Sequence, residues 1–79
     1  MASLMPDVNG LDVLDLGCGA GDLSRKVKSL GARYVIGIDV SRNMLRLAQA
    51  NVPVGVRFLN QSIEDADFEA ASFDLIRAL

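Results

Sequence analysis

Hydrophobic and polar positions change their period several times along the chain, and each change marks an element. Leu11 to Leu16 is a short apolar run carrying Asp12 and Asp15, a strand candidate after the turn signal Asn9-Gly10. Gly17-Cys18-Gly19-Ala20-Gly21 fits no regular element and reads as a loop. From Asp22 the spacing turns helical: Leu23, Val27 and Leu30 recur on one face, with Arg25, Lys26 and Lys28 on the other. Gly31 stands where a left-handed residue ends a helix, and the cations of the preceding turns suit the helix dipole. Tyr34-Val35-Ile36-Gly37-Ile38, ended by Asp39, is continuous and β-branched rather than alternating, which implies burial on both faces of a parallel sheet. Ser41 is an N-cap candidate for a helix with Met44, Leu45 and Ala48 along one face, closed by Asn51 and Pro53. Val54 to Leu59 is a third strand, interrupted by Gly55 and Arg57. An acidic connection runs from Asn60 to Ser72, with a short helix expected around Ile63 to Ala66, and Phe73-Asp74-Leu75-Ile76 is a fourth strand.

This alternation, βαβαβ(α)β, builds an α/β doubly wound parallel sheet, and residues 1–79 are expected to form a single unit of it. Right-handed crossovers place the first three strands side by side, and a fourth returning to the far side of the first gives the order 3-2-1-4. Ligands bind such sheets outside the carboxyl ends of the strands, at the switch point. The glycine loop and Asp39 both stand at strand carboxyl ends, so the topology brings them to one crevice.

Composition narrows the chemistry. Hydrophobic residues make up 51% and charged residues 23%, the balance of a globular chain. No apolar run approaches the ~18 residues needed to span a bilayer, and Met1 to Pro6 lacks the regions of a signal peptide. Net charge is −2, with scattered bases and five acids between Glu64 and Asp74, so nothing resembles a nucleic-acid footprint. One cysteine and no histidine exclude an intrachain disulfide, a thiol–imidazole pair, a Ser-His-Asp triad and a Cys/His zinc cage. No metal is expected, and a reducing, cytoplasmic setting is the default.

Glycines without Cβ atoms let the backbone turn tightly and let a ligand approach its N–H groups, with the positive end of a helix just behind. A plain tight β–α turn is the alternative. Gly17-x-Gly19-x-Gly21 departs from the dinucleotide fingerprint because Asp22 stands where the third glycine would be, a poor neighbour for a pyrophosphate. Asp39, about 20 residues after the loop, stands where an acid accepts bonds from two ribose hydroxyls. Its alternatives are a solvated strand end or a contribution to capping the next helix.

Val13-Leu14-Asp15-Leu16-Gly17-Cys18-Gly19-Ala20-Gly21 resembles the first motif of the class I S-adenosylmethionine-dependent methyltransferases. Val35-Ile36-Gly37-Ile38-Asp39-Val40-Ser41 with Met44-Leu45 resembles the second, and Glu64-Asp65 with Phe68, then Ser72-Phe73-Asp74-Leu75-Ile76, the third and fourth. The resemblance covers nearly the whole chain. It implies a Rossmann-like fold and S-adenosylmethionine or S-adenosylhomocysteine as cofactor. Gly17, Gly19 and Gly21 would pack against the methionine part, with Asp15 under the loop fixing its backbone. Asp39 would hold the ribose. Val40 and Met44 would lie on one face of adenine and Ile63 near the other, although Met44 serves equally as core. Cys18 fills a small-residue slot.

Two positions depart from the family pattern. Ser62 stands where many relatives carry an acid that bonds the adenine amino group; it can accept that bond but is neutral. Arg77 stands where small or polar residues are common near the transferring methyl, and either faces solvent or meets an anion. Family members continue with three more strands and an acceptor-binding cover, so the resemblance implies that the chain is the cofactor-holding half of the domain, and it is expected to be weakly active or inactive alone, with no catalytic residue of its own. Its fourth strand, left as an edge, is expected to pair or pack with a second copy in a homodimer. The rival expectations are a structural half-fold that self-associates without ligand, and a dinucleotide-binding domain.

Overall fold

The computed structural model describes residues 7–62 and 73–78. The expected helix around Ile63 to Ala66, the motif residues Glu64, Asp65 and Phe68, and the side chain of Arg77 lie outside what is described. The elements are β1 (Asp12–Leu16), α1 (Asp22–Ser29), β2 (Tyr34–Asp39), α2 (Arg42–Gln49), β3 (Val56–Asn60) and β4 (Leu75–Ala78). Among these residues the strands form one sheet in the order β3-β2-β1-β4, all neighbours parallel. Val13 pairs with Val35 on one side and Leu75 on the other, and Asp39 at the end of β2 pairs with Asn60 at the end of β3. The expected order and the return of β4 to β1 are therefore what the chain adopts.

Both helices cover the same sheet face, as two successive crossovers of one hand require. Val27, Leu45 and Ala48 from the helices meet Val13, Val35, Val56 and Phe58 from the strands in one core cluster. On the opposite face Leu14, Ile36 and Ile38 are buried, with Leu16, Tyr34, Leu59 and Phe73 packed against them. The continuous run of β2 is thus buried on both faces. No helix among the described residues is long and apolar enough to cross a membrane.

The two helices differ in how they are terminated. Ser41 caps α2, its hydroxyl accepting from the Met44 N–H at 3.2 Å. At the end of α1, Gly31 (φ +107°) closes a Schellman motif: its N–H donates to Lys28 O and the Ala32 N–H to Val27 O. The buried face of α1 differs from the one the apolar spacing suggests. Ser24 and Val27 face inward, whereas Leu30 lies just past the last turn and is exposed. Arg25 is likewise no solvent-facing cation. Its guanidinium donates to the carbonyls of Asn51 at 3.1 Å and Ala20 at 2.9 Å and pairs with Asp22, tying the glycine loop to the end of α2.

Candidate functional site

The glycine loop leaves β1 at its carboxyl end and is drawn back onto β2. The N–H groups of Gly17 and Cys18 both donate to Ile38 O, at 2.8 and 2.9 Å, and the Gly21 N–H donates to Cys18 O. The Gly19 N–H donates to Asp39 Oδ2 at 2.8 Å, and the Ser41 N–H to Oδ1 of the same carboxylate at 2.8 Å. Asp39 therefore fastens the loop and helps start α2, the capping role foreseen as an alternative. Each carboxylate oxygen can accept a second bond, so these two contacts leave acceptor capacity for a ligand.

These bonds change what the loop offers. Four of its N–H groups are spent inside the protein rather than held out to an anion. What the glycines provide is room and a backbone twist. Gly17 and Gly19 have φ of +76° and +58°, and a Cβ on either would meet no atom within 4 Å, so the missing side chains leave open space. Gly21 (φ +87°) is different: a Cβ there would lie 2.6 Å from the Phe58 ring. Gly37 plays a related part from β2, since a Cβ would come within 2.8 Å of Cys18 Cβ. A bare position in the strand thus lets the loop settle on the sheet.

Beneath the loop Asp15 is 1% exposed, and the Ser24 hydroxyl donates to its Oδ2 at 2.7 Å. That bond explains the polar residue on the buried face of α1, because a buried carboxylate needs donors. Cys18 is buried nearby, and burial, reinforced by the charges of Asp15 and Asp39, pushes its thiol up to about 11. Such a thiol is a packing group rather than a nucleophile.

A crevice of about 310 Å³ opens at the carboxyl ends of β1, β2 and β3, lined by Gly17, Ile38, Asp39, Val40 and Gln61. That volume lies at the small end of the ~300–1,000 Å³ typical of ligand sites. Of the residues singled out in the sequence, Gly17, Asp39 and Val40 come together here. Gly19 is held by Asp39, Asp15 lies below, and Gly21 is packed against Phe58. Met44 is 43% exposed in the first turn of α2, outside the core cluster that Leu45 and Ala48 join. Ile63 lies outside the described residues, and half-buried Ser62 is not one of the lining residues. Gln61 takes that place; it drew no attention as a sequence because a lone glutamine after a strand reads as loop. The parallel pairing of β2 with β3 sets it beside Asp39, its N–H donating to Asp39 O at 3.1 Å.

Comparison with known proteins agrees with this layout. The model of a methyltransferase domain family matches residues 13–79. The chain is 40% identical over 80 residues to the demethylmenaquinone methyltransferase of Lactococcus lactis, covering 91% of this chain and 31% of that protein. It is 38% identical over 73 residues to the ubiquinone biosynthesis O-methyltransferase of a Methylobacterium strain, covering 89% and 29%. The crystal structure of an S-adenosylmethionine-dependent methyltransferase from Mesorhizobium loti superimposes with a TM-score of 0.85 at 37% identity, covering 95% of this chain and 35% of that one. The chain thus spans about a third of the length of the relatives it matches. With the family model, the shared strand order and the glycine loop in agreement, the chain belongs to the class I S-adenosylmethionine-dependent methyltransferases.

Proposed function

We propose that this chain holds S-adenosylmethionine or S-adenosylhomocysteine in the crevice at the ends of β1 and β2, as the cofactor-holding part of a methyltransferase domain. Residues 1–79 act as one unit in this role, weakly active or inactive alone. The observation that carries it is a loop four of whose N–H groups are consumed internally, next to the carboxylates of Asp15 and Asp39. A phosphate-rich ligand needs free N–H donors and no nearby anions. A ligand with a neutral sugar and a cationic sulfonium needs acceptors and open space, and both are supplied here.

The bound cofactor supplies the activated methyl group. The residues of this chain bind and orient it. Open space over Gly17 and Gly19 admits the methionine part; the remaining acceptor capacity of Asp39 takes the ribose hydroxyls, each charge-assisted bond contributing roughly 1.5–3 kcal/mol. Val40, 68% exposed beside Asp39, offers an apolar face to adenine, and Met44, Ser62 and Ile63 belong to the same proposed base-binding set. Self-association belongs to the same proposal: β4 is the last strand on its side of the described sheet, and Ile76 on it is 41% exposed.

Thermal melting separates this proposal from its rivals. S-adenosylhomocysteine at a hundred times its Kd should stabilise the chain by about 2.7 kcal/mol, while NAD does nothing. A shift with NAD alone would favour a dinucleotide site, and no shift with either a half-fold without ligand.

A further inference from the structure

We infer that Arg25, which lies outside the crevice, is a positioning residue for the methionine part of the cofactor, because it fixes the last peptide of the glycine loop against the far end of α2. The inference rests on the adenosyl-binding proposal above and adds to it a residue that acts without touching the ligand.

Glycines at alternate positions leave a loop free to adopt many backbone shapes, and freedom that must be given up on binding weakens binding. The start of this loop is held by Ile38 O and its middle by Asp39, through the N–H groups of Gly17, Cys18 and Gly19. Neither anchor reaches the peptide that joins Ala20 to Gly21. That peptide is fixed from both sides: its N–H donates to Cys18 O at 3.0 Å, and its carbonyl accepts from Arg25 Nη2 at 2.9 Å. Arg25 Nη1 donates to Asn51 O at 3.1 Å, just past α2, and lies against bare Gly21, 3.1 Å from where a Cβ would stand. The loop is therefore strapped to both ends of α2, by Asp39 and Ser41 where the helix starts and by Arg25 where it stops. A planar guanidinium suits this task, since its diverging donors serve two carbonyls and the carboxylate of Asp22 at once. Its side chain is only 20% exposed, and it is not among the residues lining the crevice. The two straps divide the ligand between them. Asp39 stands at the ribose end, whereas Arg25 holds the part of the loop that follows Gly19, where open space admits the methionine part. Loss of the guanidinium frees that part and leaves the ribose end in place.

The experiment titrates two ligands into the 79-residue chain and into Arg25→Met in a calorimeter. One is S-adenosylhomocysteine; the other is 5′-methylthioadenosine, which shares the adenosine and the sulfur but lacks the amino-acid part. The unaltered chain should bind S-adenosylhomocysteine the more tightly. Arg25→Met, without donors, should weaken S-adenosylhomocysteine about tenfold, as when a loop holds its binding shape one time in ten, and leave 5′-methylthioadenosine unchanged. A merely structural role would weaken the two ligands alike, so equal weakening overturns the inference, as does unchanged affinity for both. If the unaltered chain binds both equally, the adenosyl site stands and the inference fails. If neither binds, the site and the inference fall together. Should Arg25→Met not fold, Arg25→Lys, which keeps the charge but not the planar fork, takes its place. It should show the same split at smaller size, and a ratio of affinities equal to that of the unaltered chain overturns the inference.

Discussion

The three loop glycines are alike in sequence but not in the structure, and replacing each by alanine separates their roles. All have positive φ, so each alanine is placed in the left-handed region at a cost of about 1–2 kcal/mol. For Gly17 and Gly19 nothing more is added, because their Cβ positions are open. At Gly21 the new methyl would sit 2.6 and 2.9 Å from Phe58 Cζ and Cε1 and 3.1 Å from Arg25 Nη1. Phe58 is 3% exposed and cannot swing aside, so overpacking adds a further ~1–3 kcal/mol. The total for Gly21→Ala is then roughly 2–5 kcal/mol. A 79-residue domain holds only about 4–12 kcal/mol altogether, so that loss is severe. Thermal unfolding followed by far-ultraviolet circular dichroism measures each loss. Gly17→Ala and Gly19→Ala should lower Tm by roughly 5–15 °C and Gly21→Ala by distinctly more. Trimming the ring should relieve the clash, so Phe58→Leu combined with Gly21→Ala should be less damaging than the sum of the two by about 1–2 kcal/mol. Equal losses at all three glycines, or strict additivity with Phe58→Leu, would refute the packing explanation.

Two further outcomes follow from the same geometry. With its thiol pushed up to about 11 from 9.0, Cys18 should react with iodoacetamide about a hundredfold more slowly near pH ~8 in the folded chain than in urea. Because the folded thiol keeps its proton longer than the unfolded one, its contribution to stability is complete below 9.0 and is lost as pH rises toward 11; Cys18→Ala should remove that part of the alkaline decline in urea midpoint. Sedimentation equilibrium should show self-association that Ile76→Lys on the exposed β4 edge abolishes, whereas a monomer at every concentration would remove the dimer from the account.

The sheet was legible because its signals are local. The unbroken β-branched stretch of β2, the glycines after β1 and the caps Ser41 and Gly31 each act within a few residues, and handedness of the crossovers does the rest. The inner face of α1 was not legible. An apolar stripe through Leu23, Val27 and Leu30 is the simplest periodic solution, yet Ser24 turns inward because a buried carboxylate on β1 needs its hydroxyl. Arg25 is missed for the same kind of reason, since its carbonyl partners at Ala20 and Asn51 come together only after folding. The site shows the same division. Asp39 and Val40 stand where strand ends place them, but the use of the loop N–H groups depends on Ile38 O across the sheet, and Gln61 reaches the crevice only through the β2–β3 register. Spacing along a chain reports neighbours on one element; contacts made between elements need the register as well.

The central claim is tested most directly by titrating S-adenosylhomocysteine into the chain in a calorimeter, alongside Asp39→Asn and Val40→Glu. Val40 is largely exposed and supports no core contact, so its replacement leaves the fold intact. A saturable heat for one site, lost in Asp39→Asn and clearly weakened in Val40→Glu, is the predicted result. No heat with the unaltered chain, or the same affinity in all three proteins, would contradict it.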